Sequence, residues 1–160
     1  MRVSILFIVE GVAEMRRFIA AGELTVIDTE VRLMWTSTDS MNDLKKWVNY
    51  QEAADYAREL SKKKYAGFDN WRLPTREEMG TLYDESYSNQ DQFKKEIHIC
   101  DCFKPGGGFS MIAGIISGRM RTWVLNIRTG EFDQPDGLWT LTEAARAVRT
   151  MGTDEVVPGE

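Results

Sequence analysis

The stretch from His98 to Cys102, which reads HICDC, holds the side chains of this sequence that are best suited to chemistry. In an extended segment His98, Cys100 and Cys102 would point to one side, because side chains alternate along a strand. Imidazole and thiolate are ligands that zinc and copper prefer, although no fourth ligand is evident. The alternative is two ordinary thiols and a surface histidine, because an isolated Cys-x-Cys is not a full ligand set. The two cysteines are too close in sequence for us to expect an unstrained disulfide between them.

A second candidate ion site lies between Asp133 and Gly137, which reads DQPDG. Oxygen atoms of Gln134 and Asp136 would suit Ca²⁺. A turn that follows a strand also favours Pro, Asp and Gly, so the sequence favours a plain turn over a calcium site.

Residue patterns typical of catalysis are weak. His98 is the single histidine of the chain and has no evident triad partners. The stretch Lys104–Gly108, which reads KPGGG, lacks the Lys-Ser/Thr ending of a phosphate-binding loop. The sequence therefore favours a binding protein over an enzyme, and no resident cofactor is expected beyond the calcium or zinc considered above.

Length and composition predict one folded domain. The chain has 160 residues, of which 42% are hydrophobic, and carries a net charge of −5. One compact core is expected at this size. The acidic balance argues against nucleic-acid binding, and no apolar run reaches the roughly 20 residues that a membrane helix needs. Residues 1–15 are predicted to be an N-terminal extension or a degenerate leader, so an exported and a cytoplasmic location both stay open.

Two hairpins are expected around the candidate residues. The runs Leu24–Asp28 and Val31–Trp35 are rich in β-branched and large apolar residues and predict an early strand pair. Residues 36–43 are polar and predict a loop. Alternating residues from 121 onward, with a turn at Thr129-Gly130, predict a late hairpin.

Two helices are expected between these hairpins. Asn49 and Glu52 resemble a capping box at the start of the first helix, and Gly67 is the predicted stop. Thr75 and Glu78 form a Thr-x-x-Glu capping box at the start of the second. Pro74 disfavours helix just before it.

Other segments have weaker patterns. Residues 86–121 show little periodicity and predict a long surface loop. Residues 144–150 suit either a final strand or a short helix, and residues 151–160 are predicted to be a polar tail. Because the two helices are consecutive, the order of elements predicts an α+β domain over residues 16–150 with a mostly antiparallel, twisted sheet.

Four stretches in this order resemble the Lcl C-terminal domain, which occurs in bacterial collagen-like adhesins and in many short bacterial proteins. They read RFIAAGELTVIDTEVRLMW, GFDNWRLPTREEMGTLYD, TWVLNIRTGEF and ARAVR, with an EAADYAREL helix before the second. The resemblance covers residues 17–150. It implies a C-type lectin-like fold, distantly related to formylglycine-generating enzymes, whose chains also carry a Trp-Arg-Leu-Pro-Thr segment.

The resemblance also implies a structural role for the segment that begins at Trp71. Trp71 is expected to pack in the core as a corner post, because a buried indole brings a large apolar area. Arg72 is expected to pair internally, followed by Pro74 and by Thr75 as the helix cap. The sequence departs from the family at Arg32, where relatives have glycine, so that turn is either different or held by the arginine side chain.

A second departure concerns the half of the domain expected to face a ligand. The Tyr-Trp-Ser-Ser motif of the family is reduced to IISG, in which Ser117 survives. The Gln-Pro-Asp triplet at Gln134 occurs around calcium in galactose-type C-type lectins, but their Trp-Asn-Asp companion is absent.

The function expected from these features is binding of a glycan or of another protein through the 86–121 loop, without catalysis. Rigid scaffolds commonly present ligand surfaces on long loops. The loop residues most able to stack on sugars or to hold sulfates are Tyr87, Phe103, Phe109, Arg119 and Arg121. The resemblance implies polyanionic glycans and a homo-oligomer. The alternative is a metal-dependent enzyme of the formylglycine-generating type that uses His98, Cys100 and Cys102.

Overall fold

A computed structural model of the chain describes residues 4–8, 11–117, 121–135 and 142–158. In this part of the chain the strands form four antiparallel groups, and the two larger sheets enclose most of the core. The strands are β1 (Ser4–Ile8), β2 (Gly11–Met15), β3 (Phe18–Ala21), β4 (Thr25–Asp28), β5 (Leu33–Thr36), β6 (Asn89–Gln90), β7 (Glu96–Ile97), β8 (Ser110–Ser117), β9 (Arg121–Asn126), β10 (Glu131–Asp133) and β11 (Val148–Thr150). The helices are α1 (Ser40–Leu44), α2 (Tyr50–Lys62) and α3 (Arg76–Gly80).

The predicted hairpins are confirmed. Strands β4 and β5 pair antiparallel within a four-stranded sheet of order β11-β5-β4-β3. Strands β9 and β10 pair antiparallel within a three-stranded sheet of order β10-β9-β8. The 144–150 segment, for which a strand and a helix were both open, supplies strand β11 beside β5. The domain is therefore α+β with mostly antiparallel sheets, as expected.

Both predicted helix starts are also confirmed. The Asn49 side chain accepts a hydrogen bond from the Glu52 N–H at 2.8 Å, and Glu52 accepts one from the Asn49 N–H at 3.2 Å. Thr75 and Glu78 make the same reciprocal pair at the start of α3. The stop predicted at Gly67 is wrong, because α2 ends at Lys62 and a short 3₁₀ turn, Tyr65–Gly67, follows it.

A third helix forms where a loop was expected. Helix α1 begins after Asp39, whose carboxylate accepts a hydrogen bond from the Asn42 N–H at 2.9 Å. The Asn42 side chain in turn accepts one from the Asp39 N–H at 3.0 Å. Asparagine thus takes the place that Glu or Gln has in the usual capping box. The prediction failed because a five-residue helix is too short to show apolar periodicity.

The expectation of a surface loop over residues 86–121 is also corrected. Strand β8 takes up residues 110–117. Ile97, Ile99 and Phe103 are each 1% exposed and belong to the main core with Trp35 and Leu125. Apolar residues at irregular spacing therefore anchor the part of this segment before β8 in the core.

The segment that begins at Trp71 forms the expected corner. Trp71 is 5% exposed, and its indole N–H donates to the Tyr65 carbonyl at 2.9 Å. Arg72 makes a two-pronged ion pair with Glu78, with N–O distances of 2.8 and 2.9 Å. Its backbone also pairs with Val148 of β11. The corner thus joins the start of α3 to the four-stranded sheet.

Arg32 resolves the departure from the family glycine. Its φ of 57° lies in the left-handed region that favours glycine. Its guanidinium donates to the carbonyls of Gly152 at 2.6 Å and of Glu155 at 2.8 Å. The turn therefore keeps the glycine-like backbone, and the side chain holds the C-terminal segment.

The predicted polar tail is part of the core as far as it is described. Met151 is 6% exposed and Val157 is 1% exposed, and both pack in a cluster with Leu60 and Trp71. At the other end of the chain, β1 and β2 pair as a hairpin within the predicted extension. The described part of the chain contains no helix that is long and apolar enough to cross a membrane.

Candidate ligand-binding pocket

A buried carboxylate holds the turn that follows β6. Asp91 is 1% exposed, and its Oδ1 accepts hydrogen bonds from the N–H groups of Phe93 at 2.8 Å and Lys95 at 3.0 Å. Its Oδ2 accepts two more from the Arg128 guanidinium, at 2.8 and 2.5 Å. A buried carboxylate with this many charge-assisted partners fixes the backbone around it. The turn nevertheless leaves the Phe93 side chain 61% exposed at its tip.

A tryptophan forms the opposite wall. Trp47 follows α1, after a left-handed residue at Lys45 with φ 59°. The indole lies edge-on to Phe109, with ring centroids 5.2 Å apart. The Arg128 guanidinium lies over the Phe109 ring, 3.9 Å from its centroid. Asp91, Arg128, Phe109 and Trp47 therefore form a continuous series of contacts that sets the distance between the two walls.

The triple glycine of the KPGGG stretch allows close packing behind this wall. A Cβ on Gly108 would lie 3.0 Å from the Trp47 ring and 2.6 Å from the Ala144 Cβ. A Cβ on Gly107 would lie 2.6 Å from Asp39 Oδ2, the same oxygen that accepts the Gly108 N–H at 2.8 Å. The glycines thus serve backbone packing against the α1 cap, which is a role that sequence reasoning did not identify.

A pocket of about 470 Å³ lies between the two walls. The residues that line it come from α1 and the segment after it, from the β6–β7 turn and from the KPGGG stretch: Met41, Lys45, Lys46, Trp47, Gln92, Phe93 and Gly106. Its volume falls within the range typical of small-ligand sites.

The side-chain amide of Gln92 is the most informative feature of this pocket. Both Oε1 and Nε2 are enclosed, and neither has a hydrogen-bond partner among the described residues. Burial of an unpaired amide costs free energy, so such groups are rare unless something outside the protein pairs with them. The amide carries two donors and an acceptor, and the Gln92 side chain belongs to the lining of the pocket.

Lysines make the rim of the pocket cationic. Lys45 and Lys46 are both exposed. Lys46 Nζ lies 2.8 Å from Glu52 Oε2, and this hydrogen bond, with the one from the Asn49 N–H, keeps the pKa of the Glu52 carboxyl below its ordinary value. Glu52 offsets the charge of Lys46, so Lys45 is the cation of the rim that suits a ligand with acceptor or anionic groups.

A larger groove of about 760 Å³ lies between α1, α2 and the edge of β4. Its tyrosine hydroxyls already have partners: Tyr56 donates to Asp43 at 2.6 Å, and Tyr65 donates to the Leu24 carbonyl at 2.9 Å. Burial, followed by the hydrogen bond to Asp43, raises the pKa of Tyr56. Because its main polar groups are satisfied within the chain, this groove has less need of a ligand than the Gln92 pocket.

Those predicted ligand residues that the structure describes do not come together at the pocket. Phe103 lies in the core and does not reach the surface. Tyr87 is half-buried, packs edge-on to Phe18 at 6.1 Å and is not part of the pocket lining. Phe109 lies behind Trp47 and supports the pocket without lining it. Arg121 is half-buried at the start of β9, and Arg119 lies outside the described residues.

The HICDC stretch differs from the expected ligand set. Cys100 and Cys102 are joined by a disulfide, and neither is a free thiol. Their Cα atoms are 5.3 Å apart, which lies within the ordinary range for disulfides. His98 Nδ1 lies 2.8 Å from the Tyr87 carbonyl oxygen. Within the described ranges, no group of three or more His, Cys, Asp or Glu side chains is placed to hold a metal ion.

The candidate calcium residues are only partly described. Gln134 follows β10, and its N–H donates to the Asp133 carboxylate at 2.8 Å. Asp136 lies outside the described residues. The calcium hypothesis therefore stays a prediction.

Sequence reasoning missed the residues that line the pocket. Trp47, Gln92 and Phe93 were not singled out by the sequence analysis. One pattern could have identified the turn, because an Asp in a polar run, such as Asp91, commonly hydrogen-bonds the backbone two residues on in an Asx turn.

Comparison with known proteins identifies the family of this chain. A family model, the Lcl C-terminal domain, matches residues 24–149. No curated protein and no solved structure matches the chain. The matched range includes both walls of the pocket and the corner at Trp71. The chain belongs to the Lcl C-terminal domain family.

Proposed function

We propose that this protein is a non-catalytic binding module with a C-type lectin-like fold, and that it recognises a glycan through the pocket between Trp47 and Phe93. The pocket includes part of the 86–121 region, in which the sequence predicted a ligand surface. Protein recognition by the same surface is the competing outcome of the test described below.

The observation that carries this proposal is the enclosed, unpaired Gln92 amide between two aromatic side chains. A turn held by the Asp91–Arg128 ion pair places Phe93 in solvent, at the cost of exposing an apolar ring. A rigid, exposed aromatic beside an unpaired amide is suited to recognition, because little conformational entropy is lost on binding.

The chemistry of these groups suits a sugar. A pyranose presents C–H groups on its face, which pack on aromatic rings, and hydroxyl groups at its edge, which pair with an amide. Lys45 adds a cation at the rim that suits carboxylated or sulfated sugars.

The alternative, a metal-dependent enzyme that uses His98, Cys100 and Cys102, has no supporting geometry. The two sulfurs are bonded to each other, and the His98 ring lies edge-on to Tyr83 at 5.7 Å.

The test is binding of the purified protein to a glycan panel that includes sulfated chains, with calcium and with EDTA. Phe93→Ala should weaken binding about tenfold or more. The reason is that stacking of a ligand ring on an aromatic side chain is worth about 1–3 kcal/mol, as known for nucleobases. Leu24→Ala is the matched control, because Leu24 is 47% exposed and lines the larger groove. It should leave binding unchanged.

Gln92→Leu separates binding from stability. Removal of an unpaired buried amide should raise the free energy of unfolding by about 1 kcal/mol, while binding is lost. Loss of binding in Leu24→Ala with none in Phe93→Ala would place the site in the larger groove and refute the proposal. Calcium-dependent binding would support Gln134 and Asp136 as calcium ligands. Binding to none of the glycans would favour a protein ligand.

A further inference from the structure

The two cysteines of the Cys100–Cys102 disulfide differ in burial. Cys100 is 1% exposed in the main core, whereas Cys102 is only partly buried. Two donors face the enclosed sulfur: Arg16 Nη2 lies 3.4 Å from Cys100 Sγ, and the Cys102 N–H lies 3.3 Å from it. The same Arg16 nitrogen also donates to the Asp101 carboxylate at 2.6 Å.

This disulfide contributes little to holding the fold together. The stabilisation from a crosslink grows with the length of the loop it closes, and the two cysteines are only 2 positions apart. The turn also has its own hydrogen bonds. The Asn89 side chain donates to the carbonyls of Cys100 and Phe103, each at 3.0 Å, and the Phe103 N–H donates to the Cys100 carbonyl at 3.2 Å. The bond can therefore open while the turn keeps its shape.

We propose that Cys100 and Cys102 form a redox-active pair that undergoes thiol–disulfide exchange with an external thiol. The thiolate of the external molecule attacks Cys102 Sγ, forms a mixed disulfide with it and breaks the Cys100–Cys102 bond. Cys100 leaves as a thiolate and takes up a proton. A second external thiolate then attacks the outer sulfur, which releases Cys102 as a thiol. Two external thiols are oxidised to one disulfide, and the protein disulfide is reduced to two thiols.

The surroundings assign different roles to the two sulfurs. Attack is directed to Cys102 because it is the more accessible, and exchange rates depend on access to the sulfur attacked. Departure of Cys100 is helped by its two donors, because a sulfur that carries negative charge is stabilised by N–H groups and by a nearby cation. Asp101 opposes this effect, but its charge is compensated by Arg16. Arg16 is thus a positioning residue for the leaving sulfur.

The test uses the intact, folded protein in buffers of reduced and oxidised glutathione. Free thiols are trapped by alkylation and counted by mass spectrometry, and circular dichroism follows the fold. We expect both thiols to appear together without loss of the folded signal. A bond that opens only in denaturant would overturn the proposal.

Variants test the assigned roles. With oxidised glutathione, the remaining thiol of Cys100→Ser should form the mixed disulfide at least about tenfold faster than that of Cys102→Ser, because Cys102 is accessible and Cys100 is buried. Arg16→Gln should reduce more slowly than the charge-matched control Arg58→Gln, whose side chain is 62% exposed on α2. Equal rates within the cysteine pair would overturn the direction of attack. Equal rates within the arginine pair would overturn the role of Arg16.

Discussion

Single side chains hold the junctions of this domain. Trp71 packs with Leu60 of α2 and with Ala147 just before β11, and its indole N–H is satisfied by the Tyr65 carbonyl. Arg32 adopts a left-handed backbone conformation, and its guanidinium donates hydrogen bonds to two carbonyls of the C-terminal segment. Each of these residues connects segments that are distant in sequence, so its loss should lower the stability of the whole domain.

Trp71→Ala should lower the free energy of unfolding by about 3–5 kcal/mol, because it leaves a cavity where a nearly buried indole was. Trp71→Phe is the milder control, because it keeps most of the apolar volume and loses only the hydrogen bond to Tyr65. Urea denaturation followed by circular dichroism measures both. An unfolding midpoint of Trp71→Ala equal to that of the wild type would refute the role of corner post.

Short elements in this fold depend on their caps. Helix α3 has five residues, which is far below the length at which an isolated helix is stable. Its start is held by the Thr75–Glu78 capping box and by the Arg72–Glu78 ion pair, and Met79 packs it into the main core. Glu78 therefore serves the cap and the corner at once.

The Glu78 carboxyl makes the stability of α3 dependent on pH. Burial raises the pKa of Glu78, but hydrogen bonds from Arg72 and from the Thr75 N–H outweigh it, and the pKa is lowered in the folded protein. A lowered pKa contributes stability above the unfolded-state value of about 4.3, and this contribution is lost as the pH falls through the folded-state value.

Thermal unfolding from about pH 7 to about pH 3 measures this effect. The melting temperature of the wild type should fall more steeply with pH than that of Glu78→Gln, which has no carboxyl to protonate at that position. Parallel curves for the two proteins would show that Glu78 does not contribute to the acid sensitivity.

The C-terminal segment packs into the core although it lies beyond the end of the family match. The match ends at residue 149, yet Met151 and Val157 are buried against α2 and the corner at Trp71. Arg149 makes a two-pronged ion pair with Glu155, at 2.9 and 2.6 Å, which turns the segment back onto the sheet. The hydrogen bonds from Arg149 lower the pKa of the Glu155 carboxyl. The folded unit therefore includes residues that the sequence assigned to a tail.

Two adjacent valines test this conclusion. Val157 is 1% exposed and Val156 is 83% exposed. Val157→Ala should lower the free energy of unfolding by about 2 kcal/mol, because two buried methyl groups are removed. Val156→Ala should change it by less than about 0.5 kcal/mol. Equal effects of the two changes, measured by urea denaturation, would mean that the segment is not docked in solution.

The sequence by itself determined part of the local structure and the resemblance to the family. The capping residues Asn49 and Thr75 and the strands around Thr129-Gly130 were predictable, because each depends on interactions between residues that are close in the chain. The Trp71 corner was expected from the resemblance to the family, because its contacts join segments that are distant in sequence. The same short-range patterns carried the resemblance to the family.

Tertiary structure decided the rest. The Gln92 pocket, the disulfide environment and the docked C-terminal segment depend on contacts between residues far apart in the chain, such as Asp91 with Arg128 and Arg16 with Cys100. Phe93 and Phe103 illustrate the difference, because both are phenylalanines in a region of weak periodicity. One is 61% exposed and the other 1%. Their burial is set by which elements pack over them, and a local pattern does not contain that information.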